Sequence, residues 1–219
     1  MSRRILCFGD SNTWGFVPVP TPPSSRFART QRWPHVMAEA LGIAAEVVEE
    51  ALNGRTTDAD DPLLPLGGVG ANGLAYLPAA LASHLPLDLV VIMLGTNDVK
   101  PHLARSAPRI AIGAKRLIDC VRTLDGGVGS TYPNPQVLLI APAPLGRLSA
   151  AFEEMFAGGQ AKTVAMAPLY QAVAERAGVG FLDAGAHIET DGADGVHLSA
   201  DMQRRLGMAV AAKVRGMLI

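Results

Sequence analysis

The sequence predicts an α/β domain built on an open, mostly parallel sheet. Short apolar runs alternate along the chain with longer amphipathic stretches, the rhythm of βα units. The strongest run, residues 87–94 (LDLVVIML), is apolar on both faces, as a strand is when helices cover both sides of a parallel sheet. At 219 residues the chain has the length of one ordinary domain with loops. Residues 1–219 are therefore read as a single α/β/α domain of about five parallel strands.

Each element follows from its residues. Residues 5–8 (ILCF) are apolar and end at Gly9, the pattern of a buried strand. Residues 32–41 read as a helix, with Trp33, Val36, Met37 and Leu41 on one face. A weaker apolar signal marks a second strand at 45–49, and 87–94 is the third. A helix over 107–124 is broken by Gly126-Gly127-Val128-Gly129. Residues 136–141 (QVLLIA) form a fourth strand, stopped by Pro142. A helix over 161–177, a short fifth strand at 180–183 and a last helix over 199–218 complete the chain. Three stretches stand outside this alternation: the proline-rich 17–29, the acidic and glycine-rich 58–73, and the mixed 142–159. Long loops in compact domains are uncommon and often functional, so these are expected to overhang a site or form subunit contacts.

Composition excludes several classes. Nineteen Lys and Arg against twenty Asp and Glu leave a net charge of −1, no footprint for nucleic acid or an anionic membrane. Two cysteines, Cys7 and Cys120, cannot make a disulfide scaffold or a four-cysteine zinc site, and both read as buried free thiols. The apolar run before Gly9 is too short for a signal-peptide core, and no stretch approaches the roughly 20 apolar residues of a membrane span. A soluble, cytoplasmic protein is expected.

Four short motifs carry the chemistry, each placed after a predicted strand. Gly9-Asp10-Ser11 follows the first, Asn53-Gly54-Arg55 the second and Gly95-Thr96-Asn97-Asp98 the third. Asp194-Gly195-Val196-His197 lies between the fifth strand and the last helix. In an open parallel sheet the strand C-termini share one edge, where ligands bind. A serine hydroxyl needs a base to take its proton, which points to His197. The imidazole needs an acceptor on its other nitrogen, and Asp194 lies three residues upstream. The backbone N–H groups of Ser11 and Gly54 and the side-chain amide of Asn97 can meet an oxyanion. This is the inventory of a serine hydrolase.

Taken in order, these four blocks resemble the markers of the SGNH (GDSL-type) hydrolases over nearly the whole chain. Residues 5–11 (ILCFGDS), Thr13-Trp14-Gly15, residues 84–98 and Gly126-Gly127-Val128-Gly129 are similar to the bacterial arylesterase/acyltransferase branch. The resemblance implies a flavodoxin-like three-layer α/β/α sandwich and short-chain ester substrates. It also implies no metal or organic cofactor, a homo-oligomer, and acyl transfer to alcohols beside hydrolysis. By it Ser11 is the nucleophile, His197 the base and Asp194 its partner, with Ser11, Gly54 and Asn97 forming the oxyanion hole. Asn12 stands where that branch carries an apolar residue. Asn12 and Trp14 are read as substrate-binding residues.

Asp10 is expected to support its turn rather than act as a second acid. Phe152, Met155 and Phe156, at helical spacing, are either pocket walls or plain packing. The remaining histidines have no partner at a metal-ligand spacing, and Asp58, Asp60 and Asp61 read as a solvated turn rather than a calcium loop. Gly68-x-Gly70-x-x-Gly73 matches a dinucleotide fingerprint as a string, but no strand precedes it. Alternatives to the esterase are a carbohydrate O-deacetylase or thioesterase with the same triad, and a non-catalytic binding protein of the same fold.

Overall fold

The computed structural model describes residues 3–42, 45–68, 70–124 and 126–218. Val69, within the 58–73 stretch, lies outside the described residues. Five strands form one all-parallel sheet: β1 (Arg3–Gly9), β2 (Ala45–Ala51), β3 (Leu89–Met93), β4 (Gln136–Ala141) and β5 (Gly180–Asp183), in the order β2-β1-β3-β4-β5. Among the described residues the α-helices are α1 (Ser11–Trp14), α2 (Trp33–Leu41), α3 (Gly73–His84), α4 (Ala107–Arg122), α5 (Ala150–Glu153), α6 (Gly159–Ala177) and α7 (Ala200–Leu218).

The period of two along each strand divides the core into halves. Leu6, Phe8, Val90, Ile92 and Leu139 face the layer made by α3, α4 and α6. Ile5, Cys7, Leu89, Val91 and Ile140 face α2 and α7 on the other side. All five β3 residues are buried, which explains the unbroken apolar run at 89–94. β2, at the edge, is only half-buried, and its apolar signal is correspondingly weak.

Three helices are absent from the sequence reading: the single-turn α1 and α5, and the longer α3. α3 follows the 58–73 stretch and holds Pro78 inside it, a residue that removes an N–H and argues against a helix. Its buried residues Gly73, Leu77, Ala80 and Leu81 nevertheless keep helical spacing, and Asn72 caps Ala75 N–H at 3.2 Å. Packing of that face overrides the proline.

α7 is tied to the first half of the chain by one buried amide. Gln203 Oε1 accepts from Trp33 N–H at the start of α2 (2.9 Å), and its Nε2 donates to Asn12 O (2.9 Å). Gln203→Met strands a buried donor and a buried acceptor. It should cost about 2–4 kcal/mol of unfolding free energy, read as a fall in the denaturant midpoint. An unchanged midpoint would remove Gln203 from this role.

Candidate active site

Parallel, in-register pairing brings the ends of three strands side by side. Gly9 pairs with Ala51 on one side and with Met93 on the other. The chain leaving each of these residues therefore starts from the same edge, and Ser11, Gly54 and Asn97 all line one cavity above it.

The turn after β1 is held by Asp10, which caps α1 by accepting Asn12 N–H at 3.0 Å. Ser11 opens α1, is 5 % exposed, and its Oγ lies 2.9 Å from His197 Nε2. His197 Nδ1 is 2.8 Å from Asp194 Oδ2. The second Asp194 oxygen accepts the Val196 and His197 backbone N–H groups, both at 2.8 Å. Burial pushes the Asp194 carboxyl up, but the imidazole and these backbone donors outweigh it and hold the group below the usual carboxylate range. A hydroxyl, an imidazole and an ionised carboxylate thus form one hydrogen-bonded line, able to carry a proton away from Oγ.

Gly54 and Asn97 line the same cavity as Ser11. Gly54 has φ +84°, a conformation that L side chains rarely adopt, and a Cβ there would meet Leu64 at 2.9 Å. Asn97 turns one Nδ2 hydrogen to Arg55 O at 3.2 Å, which orients the amide and leaves the second N–H for the cavity. Gly95 has φ +131°, and a Cβ there would meet Tyr170 Oη at 2.6 Å, so a side chain would disturb the start of this loop.

The sequence reading missed two buried groups that hold these loops together. Arg55 is 3 % exposed and donates to Gly9 O, Glu50 O and Gly70 O, while its guanidinium lies over Phe8 (4.5 Å) and Tyr76 (5.0 Å). Burial lowers its pKa to about 10. The second is Asp98, which accepts from Thr57 N–H (2.9 Å), Thr57 Oγ1 (2.6 Å) and Arg105 Nη1 (2.6 Å). Burial pushes Asp98 up to about 6, with the Thr57 bonds and the Arg105 charge opposing. Both residues stand inside the quoted motifs, Arg55 after Gly54 and Asp98 after Asn97, but their spacing carries no sign of the buried partners they bind.

Three readings of the residues are corrected. Asn12 lies outside the cavity lining. Its Nδ2 donates to Val196 O (3.2 Å) and its Oδ1 accepts Leu198 N–H (3.1 Å), so it grips the His197 loop instead of a substrate. Trp14 also points elsewhere, half-buried beneath the Arg26 guanidinium at 4.8 Å. Phe16 is stacked on the His197 ring with centroids 4.2 Å apart and lines the cavity. Asp58 and Asp61 are not solvated: their side chains are 1 % exposed and pair with Arg105 and Lys100. Phe152 and Phe156 are both buried and cavity-lining, so wall and packing are one role. Among the described residues no three His, Cys, Asp or Glu side chains gather as metal ligands, and no helix is long and apolar enough to cross a membrane.

The family described as GDSL-like lipase/acylhydrolase matches residues 7–205. The chain is 50% identical to the M. smegmatis aryl esterase, with a TM-score of 0.94 over 99% of this chain and 100% of that one. It is 49% identical to a carbohydrate acetylesterase from Sinorhizobium meliloti, again with a TM-score of 0.94 and the same coverage. A carbohydrate acetylesterase family member from the same organism is 41% identical, with a TM-score of 0.90 over 99% of both chains. No curated protein matches.

Asp10 beneath the serine gives this site a pH signature in stability. Burial raises its carboxyl from 3.8 to about 6, against opposing bonds from Asn12 and Thr96. A carboxyl raised in the folded state favours folding fully below its unfolded value, and that contribution is lost as pH rises through about 6. Asp10→Asn keeps an acceptor for Asn12 N–H and does not titrate. The melting temperature of the wild type minus that of the variant should fall between about pH 4 and pH 7. A constant difference across that window would show that Asp10 is ionised throughout.

Proposed function

The chain belongs to the GDSL-like lipase/acylhydrolase family and is a carboxylic ester hydrolase, and from that premise we propose that it cleaves short-chain aryl and alkyl esters through an acyl-enzyme on Ser11. The observation that carries this reading is the 2.9 Å contact from Ser11 Oγ to His197 Nε2 at the wall of a cavity that also presents Gly54 and Asn97.

In the proposed sequence Ser11 Oγ attacks the ester carbonyl carbon as His197 Nε2 takes its proton. The imidazolium is stabilised by Asp194. Negative charge on the former carbonyl oxygen is met by the Ser11 and Gly54 N–H groups and by Asn97 Nδ2. Collapse breaks the ester C–O bond, and the leaving oxygen takes the proton back from His197. Water, activated by the same imidazole, then releases the acid and restores Ser11; an alcohol in place of water gives a new ester. The cavity of about 420 Å³ lies toward the small end of ligand sites, about 300–1,000 Å³, in keeping with small esters.

The likeness to a carbohydrate acetylesterase favours a second reading, O-deacetylation of a sugar by the same residues. Sugar acetates assayed beside phenyl acetate separate the two.

An organophosphonate should add to the peptide that bears Ser11, and Ser11→Ala should abolish both labelling and phenyl acetate turnover. Near wild-type turnover by that variant would refute the assignment. Asn97→Ala should lower kcat by about 10²–10³-fold, with the larger effect on kcat than on KM. An unaltered kcat would take Asn97 out of the oxyanion hole.

A further inference from the structure

A cation stands in the cavity wall that leads away from His197. Phe152 meets the His197 ring edge-on at 6.0 Å, Phe156 follows at 6.3 Å, and Lys100 Nζ lies 6.0 Å from the Phe156 ring. Lys100 lines the same cavity as Ser11 and His197. It also lines a second cavity of about 500 Å³, which shares Leu64 and Met155 with the first. The polar walls of that second space are Asp61, His102 and Glu154.

The Lys100 side chain is 4 % exposed and pairs with Asp61 Oδ2 at 3.0 Å. An ammonium has three N–H donors. Among the described residues, Asp61 takes one, and the other two have no protein acceptor. The other oxygen of Asp61 is already engaged by Leu63 N–H (3.1 Å) and His102 Nε2 (2.8 Å). Leaving donors of a buried cation without acceptors is costly. A wall meant only for hydrocarbon is better made by a methionine or leucine, as Met155 and Leu64 show beside it.

We propose that Lys100 is a specificity-determining residue whose free N–H groups bind an ether, hydroxyl or carbonyl oxygen on the leaving alcohol of the ester. The inference rests on the Ser11–His197 reading above. The leaving oxygen must lie against His197 Nε2 to receive its proton, and the Phe152–Phe156–Lys100 wall begins there, so the alcohol follows that wall. Because Asp61 neutralises the ammonium locally, the pair offers hydrogen bonds with little net charge. That suits a neutral, oxygen-rich alcohol better than a carboxylate or phosphate. The second cavity holds what extends past Lys100.

The test compares the acetate of an oligoethylene glycol monomethyl ether with the n-alkyl acetate of equal heavy-atom count. The glycol repeats an oxygen every third atom, so one falls opposite Lys100 over a range of spans. Lys100→Met should lower kcat/KM for the glycol ester about ten-fold or more relative to the alkyl ester, chiefly through KM. That variant leaves the Asp61 carboxylate buried without its cation, so Asp61→Asn/Lys100→Met, which removes both charges, is measured in parallel and should show the same change in ratio. A glycol-to-alkyl ratio equal to the wild type's in enzyme that still labels at Ser11 overturns this inference alone. A wild type that neither labels nor cleaves either ester overturns the esterase reading and the inference with it.

Discussion

The register of β1 against its two neighbours is the constraint on which the rest of this structure depends. Gly9 is level with Ala51 and with Met93, so three chains leave the sheet at one height. A slip by one residue would turn every side chain of β1 to the opposite face. The burial of Leu6 and Phe8 on one side and Ile5 and Cys7 on the other therefore locks the register. Hydrophobic packing far below the edge thus sets where a hydroxyl and two amides meet above it. The fourth component, His197, has no strand beneath it. It comes from a loop and is held by Asn12, whose side-chain amide bonds both Val196 O and Leu198 N–H.

Polar groups behind the edge complete what the register begins. Arg55 joins the ends of β1 and β2 and the loop at Gly70 through carbonyl oxygens, and its own carbonyl receives the Asn97 amide. Asp98, next to that asparagine, binds Thr57 beyond Gly54 and draws in Arg105. Burying such charges carries a desolvation cost that a hydrophobic replacement would avoid. In the proposed mechanism their placement, one residue after Gly54 and one after Asn97, accounts for the cost: each fixes a donor that must not relax when an oxyanion forms. Preorganised dipoles of this kind stabilise charge without having to reorient.

Much of this was legible in the chain, and the parts that were not share a cause. The strand at 136–141 matched because its apolar run is ended by Pro142, and that at 180–183 because Phe181 and Leu182 follow the glycine that ends α6. The convergence of Ser11, Gly54 and Asn97 was legible because a parallel sheet puts strand ends on one edge. Periodicity and strand position see only local and layer-level order. They do not see Asp61 beside Lys100, 39 residues away, or Asn12 beside Leu198, 186 residues away. The acidic stretch therefore looked like a solvated turn, and Asn12 looked like a substrate contact. Pro78 hid α3 for a different reason: a local rule was outweighed by the burial of Leu77 and Leu81.

Asn12 and Phe16 show how closely the serine and the histidine are bound into one unit. Both follow Ser11 within five residues, and both reach the His197 loop, one by hydrogen bonds on its backbone and one by stacking on the ring. The imidazole is thus held at its Nδ1 edge by the Asp194 carboxylate and on its face by an aromatic ring from the nucleophile's own segment. Any motion of the short α1 would carry both Ser11 Oγ and these two restraints together. The distance that matters for proton transfer is therefore protected by local connectivity on one side, even though the two residues are far apart in the chain. Gln203 extends that coupling into α7 by binding Asn12 O, so the helix that follows the histidine also grips the segment that carries the serine.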